Sequence, residues 1–171
     1  MGIATDLLAT SAYLPIFNGI LITDIVIIGL TLAGFFSSKY LTQYYKTYGI
    51  AALFLDVLII AVGFVIARAL YPMIFGNRWS IWKFLGLLLI IQICHDTLFY
   101  LFIKSVNYGK HRLIDMLKDY AAEVRGGAIL GDSFMMILSG LVAYWLVKNV
   151  GLDGNIGIAI ISLYLAIFAA C

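Results

Sequence analysis

Apolar residues in this chain come in long runs separated by short polar stretches, and the run lengths define its elements. Pro15 opens a first run from Ile16 to Phe36, interrupted only by Asn18, Thr23, Asp24 and Thr31 and stopped by SSKYLTQYYK. A second run covers about residues 50–70, contains Asp56, and closes at Arg68, Tyr71 and Pro72 before the turn GNRWS. The third covers about 81–103 with Gln92, His95 and Asp96 inside it, and the fourth about 128–147 with Asp132 near its start. Each is close to the roughly 20 residues a helix needs to cross a bilayer. The last run, 156–170, is shorter and has two readings, a tilted fifth span or a helix dipping into the interface; the span is favoured.

Between the third and fourth runs the periodicity changes. Leu113, Met116, Leu117, Tyr120 and Val124 recur at helical spacing, while Arg112, Asp115, Lys118, Asp119, Glu123 and Arg125 fall on the other side. The pattern predicts an amphipathic helix over about 110–125, ended by Gly126 and Gly127. Its near balance of acids and bases fits a protein-docking face better than a polybasic lipid-binding one, with a plain interfacial connector as the other reading. The fold class predicted is therefore all-α: one integral membrane helical bundle of four to five transmembrane helices and one amphipathic interfacial helix.

Composition sharpens this picture. Of 171 residues, 64% are hydrophobic and only 12% charged, too few polar groups to cover a soluble surface, and the mean hydropathy is +1.05. Spans nearly exhaust the chain, so a separate soluble domain is excluded, as are a disordered scaffold and a nucleic-acid binder. The net charge of +2 is uninformative by sign. Its distribution is not: Lys39, Lys46, Lys104, Lys110, Arg112, Lys118 and Arg125 lie in the first and third loops, against Arg68, Arg78, Lys83 and Lys148 on the other side. The first and third loops are thus expected on the cytoplasmic face. Trp79 and Trp82 on one side, and Tyr44, Tyr45 and Tyr48 on the other, read as interfacial anchors.

One aspartate falls in each of the first four runs: Asp24, Asp56, Asp96 and Asp132. An acid at the centre of a bilayer helix costs about 2.5 to 3.5 kcal/mol, so each needs a partner or a purpose. At a rise of about 1.5 Å per residue, Asp132, Asp56 and Asp96 lie roughly 6 to 10 Å from the cytoplasmic edge. They would form a layer within reach of snorkelling Lys46, Lys104 or Arg125. Asp24 stands apart near the midplane. Two readings of this polar layer remain open: packing glue between helices, or, with His95, a proton or cation path. A match of TDIVIIGLTLAGF to LDVLIIAVGFVIA is too generic to establish an internal repeat.

Enzyme signatures are absent. Two histidines, His95 and His111, are too few for a membrane di-iron site. The GDS at Gly131 lies inside a span without a nucleophile-elbow context, and GLDGNIG reads as a turn rather than a phosphate loop. Cys94 and Cys171 form neither a disulfide framework nor a metal motif and read as packing residues. No cofactor or metal is expected. The N-terminus lacks a basic region and carries Asp6, which argues against a cleavable signal, and against myristoylation at Gly2.

The segment HDTLFYLFIKS, with RLIDMLKDYAAEVRGGAILGDSFMMI after it, resembles small multi-span membrane proteins of nucleocytoplasmic large DNA viruses, over roughly residues 92–140. The resemblance implies a structural role in the inner membrane beneath an icosahedral capsid, with minor capsid or other virion membrane proteins as partners. It implies no catalytic residue. Because such a membrane is recruited from host endoplasmic reticulum, its cytoplasmic face becomes the capsid-facing one, and the amphipathic helix would be what partners meet. A homo-oligomer is compatible with this role. The competing class is a small proton- or ion-coupled transporter or channel using the span aspartates.

Overall fold

The computed structural model describes residues 6–76 and 78–169; Gly2 and Cys171 lie outside the described residues. Within them the chain is helical, with no strand: after a short 3-10 turn come α1 (Tyr13–Leu32), α2 (Lys39–Tyr48), α3 (Ile50–Phe75), α4 (Ile81–Ser105), α5 (Arg112–Val124), α6 (Gly127–Asn149) and α7 (Leu152–Ala169). Five of them, α1, α3, α4, α6 and α7, are long and apolar enough to cross a membrane. Large aliphatic and aromatic side chains such as Leu58, Val62, Ile90, Leu101, Phe134 and Ile160 are exposed on the outside of the bundle. An apolar exterior on this scale suits lipid rather than water as the surrounding medium.

The buried centre is α1, packed on α3, α6 and α7. Small residues let it sit there. A Cβ built on Gly19 would stand 2.7 Å from the Ala143 backbone nitrogen and 2.8 Å from the Ser139 carbonyl oxygen, so α1 and α6 cross almost backbone to backbone. Gly140, one residue on from Ser139, takes the Leu85 side chain of α4 on another side of α6. Thr23 and Thr31 return their hydroxyls to the Gly19 and Ile27 carbonyls one turn back, which satisfies two polar groups inside α1.

The last run gains four residues over its predicted start. LDGN, expected as a turn, forms the beginning of α7, where the Asn155 amide donates to the Val150 and Gly151 carbonyls at 2.9 and 3.1 Å. Asn18 of α1 donates to the Asn155 carbonyl oxygen at 2.8 Å and to its side-chain oxygen at 3.2 Å. With 18 residues and about 1.5 Å of rise for each, α7 has the length of a crossing. The second run likewise continues past its expected close: Arg68 lies within α3 and donates to the Leu7, Leu8 and Ala9 carbonyls, its guanidinium 4.1 Å from the Tyr13 ring.

At the α3–α4 turn, Trp79 sits in an aromatic cluster with Tyr71, Phe84 and Tyr144, at centroid separations of 5.3 to 6.2 Å, and Phe75 joins it through Tyr71 at 5.1 Å. That departs from the expected anchor: its ring is a plug in this end of the bundle. Trp82, 75% exposed, does point outward as an anchor would.

A second departure lies at the opposite end. SSKYLTQYYK, predicted to be a connector, is mostly α2, a short helix lying beside α5 and on α3. Its fully buried positions are tyrosines rather than aliphatic residues, and at ten residues it is too short to display a convincing apolar period. Together α2 and α5 form a two-helix platform across one end of the bundle.

Candidate functional site

Beneath this platform the three shallower span aspartates share one chamber. Asp56 of α3, Asp96 of α4 and Asp132 of α6 line one cavity of about 130 Å³, roofed by Tyr44 and Tyr45 of α2 and by Met116 and Tyr120 of α5. Helix ends place them there. Asp56 lies two turns into α3, Asp132 in the second turn of α6, and Asp96 two and a half turns before the end of antiparallel α4. Depth along the axis, legible in the sequence, thus brings all three to one level.

Their partners differ from those expected. Tyr44 donates to Asp56 Oδ1 and Tyr45 to Oδ2, each at 3.1 Å, so both carboxylate oxygens are met by phenols. These two tyrosines, expected as interfacial anchors, are buried. Burial first, and then the Asp56 charge they face, hold both phenols well above their ordinary range, which keeps them donors at any physiological pH. Asp96 Oδ1 accepts from the Gln92 amide at 2.6 Å and lies 3.2 Å from His95 Nδ1, while its Oδ2 is buried without a partner. Asp132 receives no hydrogen bond from the described residues. None of them places Lys46, Lys104 or Arg125 in an ion pair with a span acid, so the expected snorkelling is corrected: the one ion pair among the described residues joins His95 to Asp96.

Asp24 is outside this cavity. It is fully buried in the middle of α1, and neither carboxyl oxygen has a partner. Sequence depth set it apart from the other three acids; its isolation from every donor is a matter of packing.

The predicted docking face is partly consumed within the molecule. Glu123 Oε2 accepts from the Ser38 hydroxyl at 2.5 Å and the Tyr40 amide at 3.2 Å, and Oε1 from the Lys39 amide at 3.0 Å. A carboxylate of α5 thereby meets the unpaired amides at the start of α2, where helix polarity also favours negative charge. Asp115 accepts from the Gly109 amide at 2.9 Å, Asp119 from the Tyr108 hydroxyl at 3.2 Å, and Lys118 donates to the Val106 carbonyl. Arg112 and Arg125 are exposed. The acids of the 110–125 segment have partners within the molecule, and with α2 alongside, the exposed Lys39, Lys46, Lys110 and Arg112 outnumber the exposed Glu123, giving a net basic platform rather than the balanced one the composition of the segment suggested.

The Glu123 clamp has a pH signature. The Ser38 hydroxyl, followed by the Lys39 and Tyr40 amides, holds its carboxyl below the usual glutamate range. The folded pKa is lower than the unfolded one, so the clamp is at full strength above the ordinary glutamate pKa and fades as pH falls through the depressed value. Hydrogen exchange at the Lys39 and Tyr40 amides should show protection at neutral pH that weakens under acid. Glu123→Gln should lower that protection at neutral pH and remove its acid dependence.

Among the described residues no three acids, histidines or cysteines gather closely enough to hold a metal ion. Compared with protein-family models, curated proteins and solved structures, the chain matches none.

Proposed function

We propose that this is an integral membrane protein with a structural role, which fastens a membrane to a protein layer lying over its cytoplasmic face. The observation that carries this reading is the clamped platform: two helices, held together by Glu123 across the mouth of the bundle, with the exposed basic side chains Lys39, Lys46, Lys110 and Arg112 on them and at their ends. Several features support a static part. The far end is plugged by aromatic rings, α1 and α6 interlock at Gly19, and both Asp56 oxygens are occupied by hydrogen bonds rather than left open. On the resemblance over residues 92–140, the protein layer would be the capsid of a large DNA virus, and the partner an acidic face of a minor capsid or other virion membrane protein.

Crosslinking of purified particles tests this directly. Lys39, Lys46 and Lys110 should join proteins between the membrane and the capsid. Links confined to genome-side proteins, or a basic face that engages only anionic headgroups, would overturn the reading.

A second reading, a proton- or cation-coupled carrier, draws on one observation: Asp24, buried at mid-bundle with both oxygens unpartnered. It requires flux across liposomes that Asp24→Leu abolishes.

A further inference from the structure

Beside the acid chamber lies a larger cavity of about 510 Å³ between α4, α5 and α6. Its walls are mostly apolar, including Phe99, Tyr100, Ile103 and Ile129. Its charges are few and separated by sign. Asp96 and Asp132, which also line the chamber, bound it deep in the bundle, and Arg125 bounds it at the platform level, where α5 gives way to α6. Asp132 is half-buried on the cavity wall and receives no hydrogen bond from the described residues, while the Asp96 side chain is only 11% exposed. Arg125 forms no ion pair with any described residue.

We propose that this cavity binds the headgroup of an ethanolamine phospholipid, with its ammonium toward Asp96 and Asp132 and its phosphate at Arg125. The proposal rests on the chain lying in a bilayer. An ammonium fits better than a bare metal ion, because the acids are too dispersed to coordinate one. A primary amine fits better than choline, because Asp132, which lines the cavity and receives no hydrogen bond from the described residues, takes hydrogen-bond donors that a quaternary ammonium lacks. The arginine fork suits a phosphate, and Tyr120 and Phe99 supply aromatic walls beside the cation. The acyl chains would leave past Tyr100 and Ile103 along the apolar outside of α4.

The position of Arg125 provides a control. Its φ is 52°, the only positive value outside glycine among the described residues, and glycine would relieve that backbone. Arg125→Gly should therefore fold at least as stably while losing the phosphate contact. The test is native mass spectrometry of the full chain in mild detergent, titrated with phosphatidylethanolamine, phosphatidylcholine and phosphatidylglycerol. Phosphatidylethanolamine should be retained at least about tenfold more tightly than the other two, a gap of about 1.4 kcal/mol. Arg125→Gly, and separately Asp96→Asn with Asp132→Asn, should each erase that preference. Equal retention of the three lipids, or an unchanged preference in those variants, overturns the site. Competition by soluble glycerophosphoethanolamine as strong as by the lipid overturns its assignment to a membrane lipid. A carbonate wash keeps the two proposals apart. A chain it releases from membranes fails the bilayer reading, and one that resists it yet treats the lipids alike fails this one.

Discussion

Alanine at Gly19 is expected to destabilise the bundle by about 3 kcal/mol, the upper end of the cost of overpacking a close-packed interior. The added methyl would meet the Ala143 nitrogen at 2.7 Å, the Ser139 carbonyl oxygen at 2.8 Å and the Ala143 Cβ at 2.9 Å. Two of these are backbone atoms, so relief requires the α1 and α6 axes to separate along their whole contact. Other glycines calibrate the result. At Gly63 and Gly140 the nearest obstacles are the ends of flexible side chains, Met136 Cε and Leu85 Cδ2, rather than backbone, so a methyl there should cost less than at Gly19. At Gly29 a methyl would meet nothing within 4 Å, so Gly29→Ala should stabilise α1 by roughly 0.5 to 1 kcal/mol through helix propensity. Unfolding of the purified protein in mixed micelles measures all of them. Wild-type stability in Gly19→Ala would mean that the two helices do not cross this closely.

Asp24→Leu is expected to act in the opposite direction, raising stability by about 1 to 3 kcal/mol, the usual cost of a buried polar group without a partner. Leucine keeps the branched shape of the carboxyl group and needs no hydrogen bond. The same variant separates the two functional readings. A structural protein gains stability and remains silent in liposomes under a pH gradient before and after the change. A carrier loses a measurable flux. If Asp24→Leu instead lowers stability, the carboxyl has a partner inside the bundle, and its burial is no defect of packing.

How much of this was legible in the residues depends on the kind of information each feature uses. The long helices and the amphipathic α5 follow from run length and period, which are properties of consecutive residues. The common depth of Asp56, Asp96 and Asp132 follows from counting along helices that start and stop at recognisable polar breaks. The helix α2 was hidden because its fully buried positions are Tyr44 and Tyr45, residues equally at home in an interfacial belt. The beginning of α7 was hidden because Asn155 earns its place through Asn18, which is 137 positions away. The lysines near the acid layer looked like its counter-charges, yet the side chains that donate to Asp56 and Asp96 include two phenols and an amide, all neutral.

By itself the sequence determined the all-helical class, four of the five long apolar helices, the side on which basic residues gather, and the level of each acid, because all of these scale with distance along one chain. Only the tertiary structure decided which helices touch, that Glu123 faces α2 rather than a partner, and that Asp24 is left without a donor. Those outcomes depend on lateral contacts between side chains remote in sequence, and no one-dimensional pattern encodes which neighbour a side chain will meet.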